Sequence, residues 1–279
     1  MPDRTAIALA LASAAFVSVP VSLVPQDARA QDGVRRRVGA RTQTPVGAPE
    51  SGPFWEFALG PSFSDGDLAG FLAGGVTYQQ PLGLQSTWGV HAQGGIWFGG
   101  KGASEFSGQV VLFARDPMMG EIGVVAGVTT FSNEFRPTIV NVALEGEYYL
   151  SRITLGGAVG VQHDNESHWV AQAGVSIYPT DYLKFTGSGL IEEHGAVGAS
   201  VGVEYQPGGG FFYIPGMQTV VFAKATVSER VTAVRGGLRF SWGGNGSSLI
   251  YADRHQGKNF YGSMVGAEGI APVDNLPHK

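Results

Sequence analysis

The chain contains no cysteine. That excludes a disulfide framework, thiolate chemistry and any cysteine-built metal site. Charge is also sparse, at 15% of residues, yet aromatic residues reach 11%, so the composition is not that of a disordered chain. The 43 glycines follow no G-X-Y period, which excludes a collagen-like rod. Beyond residue 30 no apolar run approaches the ~20 residues a spanning helix needs. The longest, Ile122-Gly-Val-Val-Ala-Gly-Val128, has the length of a strand. No glycine-rich phosphate loop stands at a strand–helix turn, and a net charge of −5 argues against a nucleic-acid partner.

Four segments follow one another. Residues 1–30 read as a secretory signal: Arg4, an Ala-rich apolar stretch over Ala6–Val24, and Ala28-Arg29-Ala30 as a cleavage site before Gln31. Residues 31–53 read as a flexible basic arm carrying Arg35, Arg36, Arg37 and Arg41. From Phe54 to Trp242 alternating runs are separated by turn-rich breaks such as Pro61–Gly66 and Asp116-Pro117. Residues 243–279 lose the alternation and read as a tail.

The runs number about twelve, the first at Phe54–Gly60 and the last at Val231–Trp242. Their spacing suits membrane strands of ~9–11 residues joined by short connections. Ten or fourteen strands also fit the length.

The two faces of these runs differ in kind. In Thr138–Leu150 one face carries Val140, Val142, Leu144, Tyr148 and Leu150, the other Asn141, Ala143, Glu145, Glu147 and Tyr149. Across the runs the second face is dominated by Gly, Ala, Ser and Gln, with one or two ionisable groups per strand. A sandwich in water would carry many Lys, Glu, Arg and Thr there. Small polar residues suit a curved, confined interior instead. The pattern predicts a closed antiparallel transmembrane β-barrel, all-β, with Trp55, Tyr78, Trp88, Phe98, Tyr148, Trp169, Tyr178, Tyr205 and Trp242 as interfacial girdles.

By parity the lumen-lining ionisable residues are Glu56, His91, Arg115, Glu145, Glu147, Lys184, Glu204, Lys224, Arg235 and Arg239. They fit a salt-bridge network that holds the barrel round, and equally the lining of an ion-selective pore. Acidic residues outnumber basic ones over 54–242, 16 to 9, so a conducting lumen is expected to favour cations. The basic arm is either a solvated linker or, drawn by inward carboxylates, a partial plug.

The last run ends Arg235-Gly236-Gly237-Leu238-Arg239-Phe240-Ser241-Trp242. Its Arg235, Gly237, Phe240 and Trp242 match the polar-x-Gly-x-x-hydrophobic-x-aromatic closing signal of bacterial outer-membrane β-barrels. The chain resembles single-chain outer-membrane β-barrels of Gram-negative bacteria over its signal and Phe54–Trp242. The resemblance implies an outer-membrane location, contact with outer-membrane lipid and the barrel assembly machinery, and small ions or solutes as cargo. It implies a porin-like channel or a structural envelope protein. Many such barrels stop at the terminal aromatic, whereas this chain continues, which puts residues 243–279 in the periplasm as a C-terminal tail.

A second reading rests on His163, His168, Glu192 and His194, which are expected on extracellular loops joined to neighbouring strands and so able to meet in space. Imidazoles and carboxylates together suit Zn²⁺ or a similar cation. Ser167 near His163 raises a barrel enzyme, although neither the Tyr-Thr-x-x-Ser-x-Gly run of outer-membrane phospholipases nor the His-x-Ser-Asn motif of lipid A deacylases is present. Solvated polar loops explain the same residues, and no cofactor is expected.

Overall fold

A computed structural model describes residues 51–64, 67–83, 86–99, 104–132, 138–193, 197–207, 217–228, 232–243 and 248–256. The expected signal, nearly all of the basic arm and most of the tail lie outside them. Twelve strands form: β1 (Gly52–Ser64), β2 (Asp67–Pro81), β3 (Thr87–Gly99), β4 (Glu105–Asp116), β5 (Gly120–Phe131) and β6 (Ile139–Tyr149). They continue as β7 (Ile153–His163), β8 (Ser167–Thr180), β9 (Leu183–Glu192), β10 (Val197–Tyr205), β11 (Met217–Ser228) and β12 (Thr232–Trp242). Each pairs antiparallel with its neighbours in sequence, and β1 pairs with β12, so the sheet closes into a barrel. Among the described residues one α-helix, α1 (Leu249–His255), follows it.

Alternation explains which side of each strand faces out. On β6, Val140, Val142 and Leu144 are 46%, 53% and 57% exposed, while Asn141, Ala143 and Glu145 between them are buried. Leu112, Val124, Val159 and Val161 continue the outer band on neighbouring strands. An apolar band running round a closed barrel is far larger than the patches water tolerates, and it matches a hydrocarbon surround. No helix of the described residues is long and apolar enough to cross a membrane. The strands do the spanning.

The aromatic girdles form with one exception. Trp55, Tyr78, Trp88, Phe98, Tyr148, Trp169, Tyr205 and Trp242 are exposed on the outer face, and Trp55 and Trp242 are register partners across the closure. Tyr178 is instead 2% exposed and faces the interior. It stands nine residues from the outward Trp169, an odd separation, so strand parity turns it inward.

The break expected at Pro61–Gly66 is shorter than the sequence implied. β1 runs through Pro61 to Ser64 and pairs with β2 as far as Ser64↔Asp67. Pro61 has no N–H to donate, and paired positions toward β12 stop at Leu59↔Leu238 and resume at Ser62↔Arg235. The barrel closes there on glycine. A Cβ on Gly237 would lie 2.1 Å from the Leu59 carbonyl oxygen, and one on Gly60 would lie 2.0 Å from that of Gly236. Over this narrow seam the Phe71 and Phe222 rings meet with centroids 5.9 Å apart, covering from inside the space the glycines leave open.

Candidate functional site: the barrel interior

The interior divides into an open part and a charged layer. The open part is built from small residues: Gly74 on β2, Gly94 and Gly95 on β3, Ser107 and Gly108 on β4, Ser188 on β9, and Ser200 and Gly202 on β10. Together with Lys184, Glu204, Arg239 and Asp253 of the charged layer they line a cavity of about 260 Å³. Ser188 Oγ and Ser200 Oγ are 2.7 Å apart across β9 and β10. Trp97 stacks on Phe71 at 6.3 Å, and the Arg235 guanidinium lies 5.9 Å from the Trp97 ring centre.

The charged layer lies toward the end where β1 begins and β12 finishes, called here the terminal end. On the β9–β12 wall, Lys184 Nζ is 3.2 Å from Glu204 Oε1, and Arg239 ion-pairs with the other Glu204 oxygen. On the β4–β6 wall Arg115 ion-pairs with Glu121, and both are buried. Glu145 is buried on the same wall, and Glu147 is the register partner of Glu121. On the β1–β3 wall His91 Nδ1 is 2.7 Å from Thr77 Oγ1, and its Nε2 is 3.0 Å from Gln93 Oε1 and 4.0 Å from Glu56. Lys224 joins Arg235 and Arg239 on the cavity lining. Charges removed from water are costly unless paired, and the close pairing here is what a narrow interior requires.

Sequence parity missed three residues of this layer. Glu121 opens β5 and alternates inward with Gly123 and Val125, so parity alone could have found it. Asp253 and Arg254 belong to α1, where no strand pattern exists to signal them. The helix begins at Ser248, whose Oγ accepts from the Tyr251 N–H at 3.3 Å, and carries Arg254 and His255 in its last turn, where cations complement the helix dipole. Leu249 and Ala252 are fully buried and Asp253 is 6% exposed, among interior side chains at the terminal end. Asp253 Oδ2 accepts from the Tyr178 hydroxyl at 2.9 Å and lies 3.0 Å from Lys184 Nζ. Tyr178, placed in a girdle by the sequence reading, is a partner of the helix.

The histidine cluster divides between two faces. His163 and Ser167 are register partners on the outer face, with Nδ1 and Oγ 3.0 Å apart. His168, one residue on, points inward and is buried, as is Glu192. His194 lies outside the described residues. Among the described residues no group of three His, Asp or Glu side chains could hold a metal ion. Asp164 Oδ1 accepts the Asn165 and Glu166 backbone N–H groups of its own turn. The exposed Ser167–His163 pair has no third member among the contacts described, and the enzyme reading finds no support.

No protein-family model matches the chain, and no curated protein matches it in sequence. Solved structures do share its architecture. The KdgM porin in complex with disordered oligogalacturonate superposes with a TM-score of 0.52 at 8% identity, over 68% of this chain and 99% of that one. A second structure of the KdgM porin gives a TM-score of 0.51 at 8% identity with the same coverage. The likeness is one of fold, a closed antiparallel β-barrel.

Proposed function

We propose that the chain is an outer-membrane, porin-like channel for small polar solutes and ions. The observation that carries this reading is a cavity lined by charged and small side chains inside a closed barrel whose outer face is an apolar band edged by aromatics. Eight strands make an interior that side chains fill, and twelve leave room for a conduit. The even strand count puts both barrel ends on one side, which is assigned here to the periplasm. Residues 243–279 then start from the periplasmic side, and Arg235, Gly237, Phe240 and Trp242 serve as the assembly signal.

The lining supports a weak cation preference. Glu56, Glu105, Glu121, Glu145, Glu147, Glu192, Glu204 and Asp253 point inward against Arg115, Lys184, Lys224, Arg235, Arg239 and Arg254. The excess of two carboxylates is small, so selectivity is modest. Proteoliposome swelling tests the channel: vesicles holding the refolded protein should swell in a monosaccharide faster than empty ones and slowly in a tetrasaccharide. Swelling equal to that of empty vesicles in every solute, for the full chain and for one lacking residues 248–279 alike, would remove the channel reading.

A further inference from the structure

We propose that helix α1 is a removable stopper of the terminal mouth, seated by Asp253; this rests on the channel reading and adds its regulation. The first argument is position. Gln79 on β2 donates to the His255 carbonyl at 2.5 Å, and Tyr178 on β8 donates to Asp253. In a ring of twelve strands, β2 and β8 stand opposite one another. The Leu249 N–H donates to the Asp181 carbonyl at 2.9 Å in the β8–β9 turn, and Arg254 donates to the Leu150 and Ile153 carbonyls flanking the β6–β7 turn. Seven residues rising ~1.5 Å each make a bar about 10 Å long. It lies across the mouth, held on facing walls.

The second argument is the character of the seat. A permanent core element is held by apolar burial, but this helix buries only Leu249 and Ala252 as apolar side chains. Its remaining hold is polar: Asp253 to Lys184 and Tyr178, Gln79 to a carbonyl, Arg254 to two carbonyls. Lys184 also keeps Glu204 at 3.2 Å, and Glu204 in turn pairs with Arg239. Removing Asp253 therefore does not strand a lone buried charge on the wall, which is the condition for a seat that can stand empty. A two-turn helix is marginal in water by itself, so α1 is helical when seated and melts when released. That makes two discrete states. Entry into the mouth begins at Gly243, whose φ of 101° turns the chain immediately after β12 while a Cβ would meet the Pro53 carbonyl oxygen at 2.3 Å.

The test compares the full chain, a deletion of residues 248–279, Asp253→Asn, and the pair Asp181→Cys/Leu249→Cys. The last forms one disulfide in a chain with no other cysteine. Single-channel conductance should rise several-fold on deletion and partly in Asp253→Asn. The oxidised cysteine pair should hold the low level, and reduction, which leaves the helix without its Leu249 anchor, should raise conductance toward that of the deletion. A second readout does not depend on conduction: Ser176→Cys, buried on the cavity lining, should react with a water-soluble maleimide at least tenfold faster after deletion. Each protein is first shown to be folded by heat-modifiable migration. Equal conductance and equal labelling with and without 248–279 would overturn the stopper. If neither protein conducts but labelling still accelerates on deletion, the stopper stands and the channel reading fails.

Discussion

Gly237 shows how one position serves the closure of the whole sheet. The sequence marks it only as part of a closing pattern. The structure supplies the cause, a backbone approach between β1 and β12 that leaves no room for a Cβ. Gly237→Ala should therefore lower the yield of heat-modifiable barrel severely. Gly236→Ala is the control, because its Cβ would meet its nearest atom, the Phe222 carbonyl oxygen, at 3.2 Å. Equal folding of the two variants would contradict the seam argument. His255 gives a second effect of one residue. Burial, with Arg115 on β4 and Arg254 on its own helix, pushes its imidazole from 6.5 down to about 4. Around it also stand Gln79 and the stacked Tyr251 ring, neither of which supplies a negative charge at neutral pH. The released helix takes up a proton near pH 6.5 and the seated one only near 4, so the seat is intact above 6.5 and weakens as pH falls toward 4. Conductance should rise over that interval, and His255→Gln should flatten the rise. An unchanged pH profile in His255→Gln would show that other groups control the opening.

Strands were legible in this sequence and the helix was not. A strand that faces lipid on one side and a confined interior on the other must alternate, and all twelve runs carry that signature. Pro61 misled the reading because proline usually marks a turn, whereas here it occupies a strand position where the pairing toward β12 is interrupted. Tyr178 misled it because an aromatic near a strand end suits either face, and only counting parity from Trp169 decides. Helix α1 is two turns long and has little apolar periodicity; its stability comes from Lys184, Tyr178 and Gln79, which are distant in sequence. Residues of the interior were therefore readable where they sit on strands and unreadable where the tail returns to meet them. The outer face of β12 gives the element-scale prediction. Phe240→Ser/Trp242→Ser should block membrane insertion, since these side chains belong to the lipid side and apolar surface there is worth ~25 cal/mol per Å². Val142→Arg, near the middle of β6, should cost ~2–4 kcal/mol in vesicle unfolding titrations. Assembly of the double variant at the normal level would count against Phe240 and Trp242 as part of the closing signal.

At the scale of the molecule, the barrel combines an apolar exterior, an open zone of glycine and serine, and a charged layer crossed by a helix. Lys184, Glu204, Arg239 and Asp253 link the β9–β12 wall to α1, and Arg115 with Glu121 braces the opposite wall. Current through the molecule must pass that layer, so its charge sets both selectivity and resistance. The most direct measurement is the single-channel current of the refolded full-length chain in a planar bilayer under a tenfold KCl gradient. The expected record has small discrete steps with a reversal potential displaced modestly to the cation-selective side. Absence of steps from both the full chain and the chain lacking residues 248–279, each folded and inserted, would contradict a conduit through this barrel.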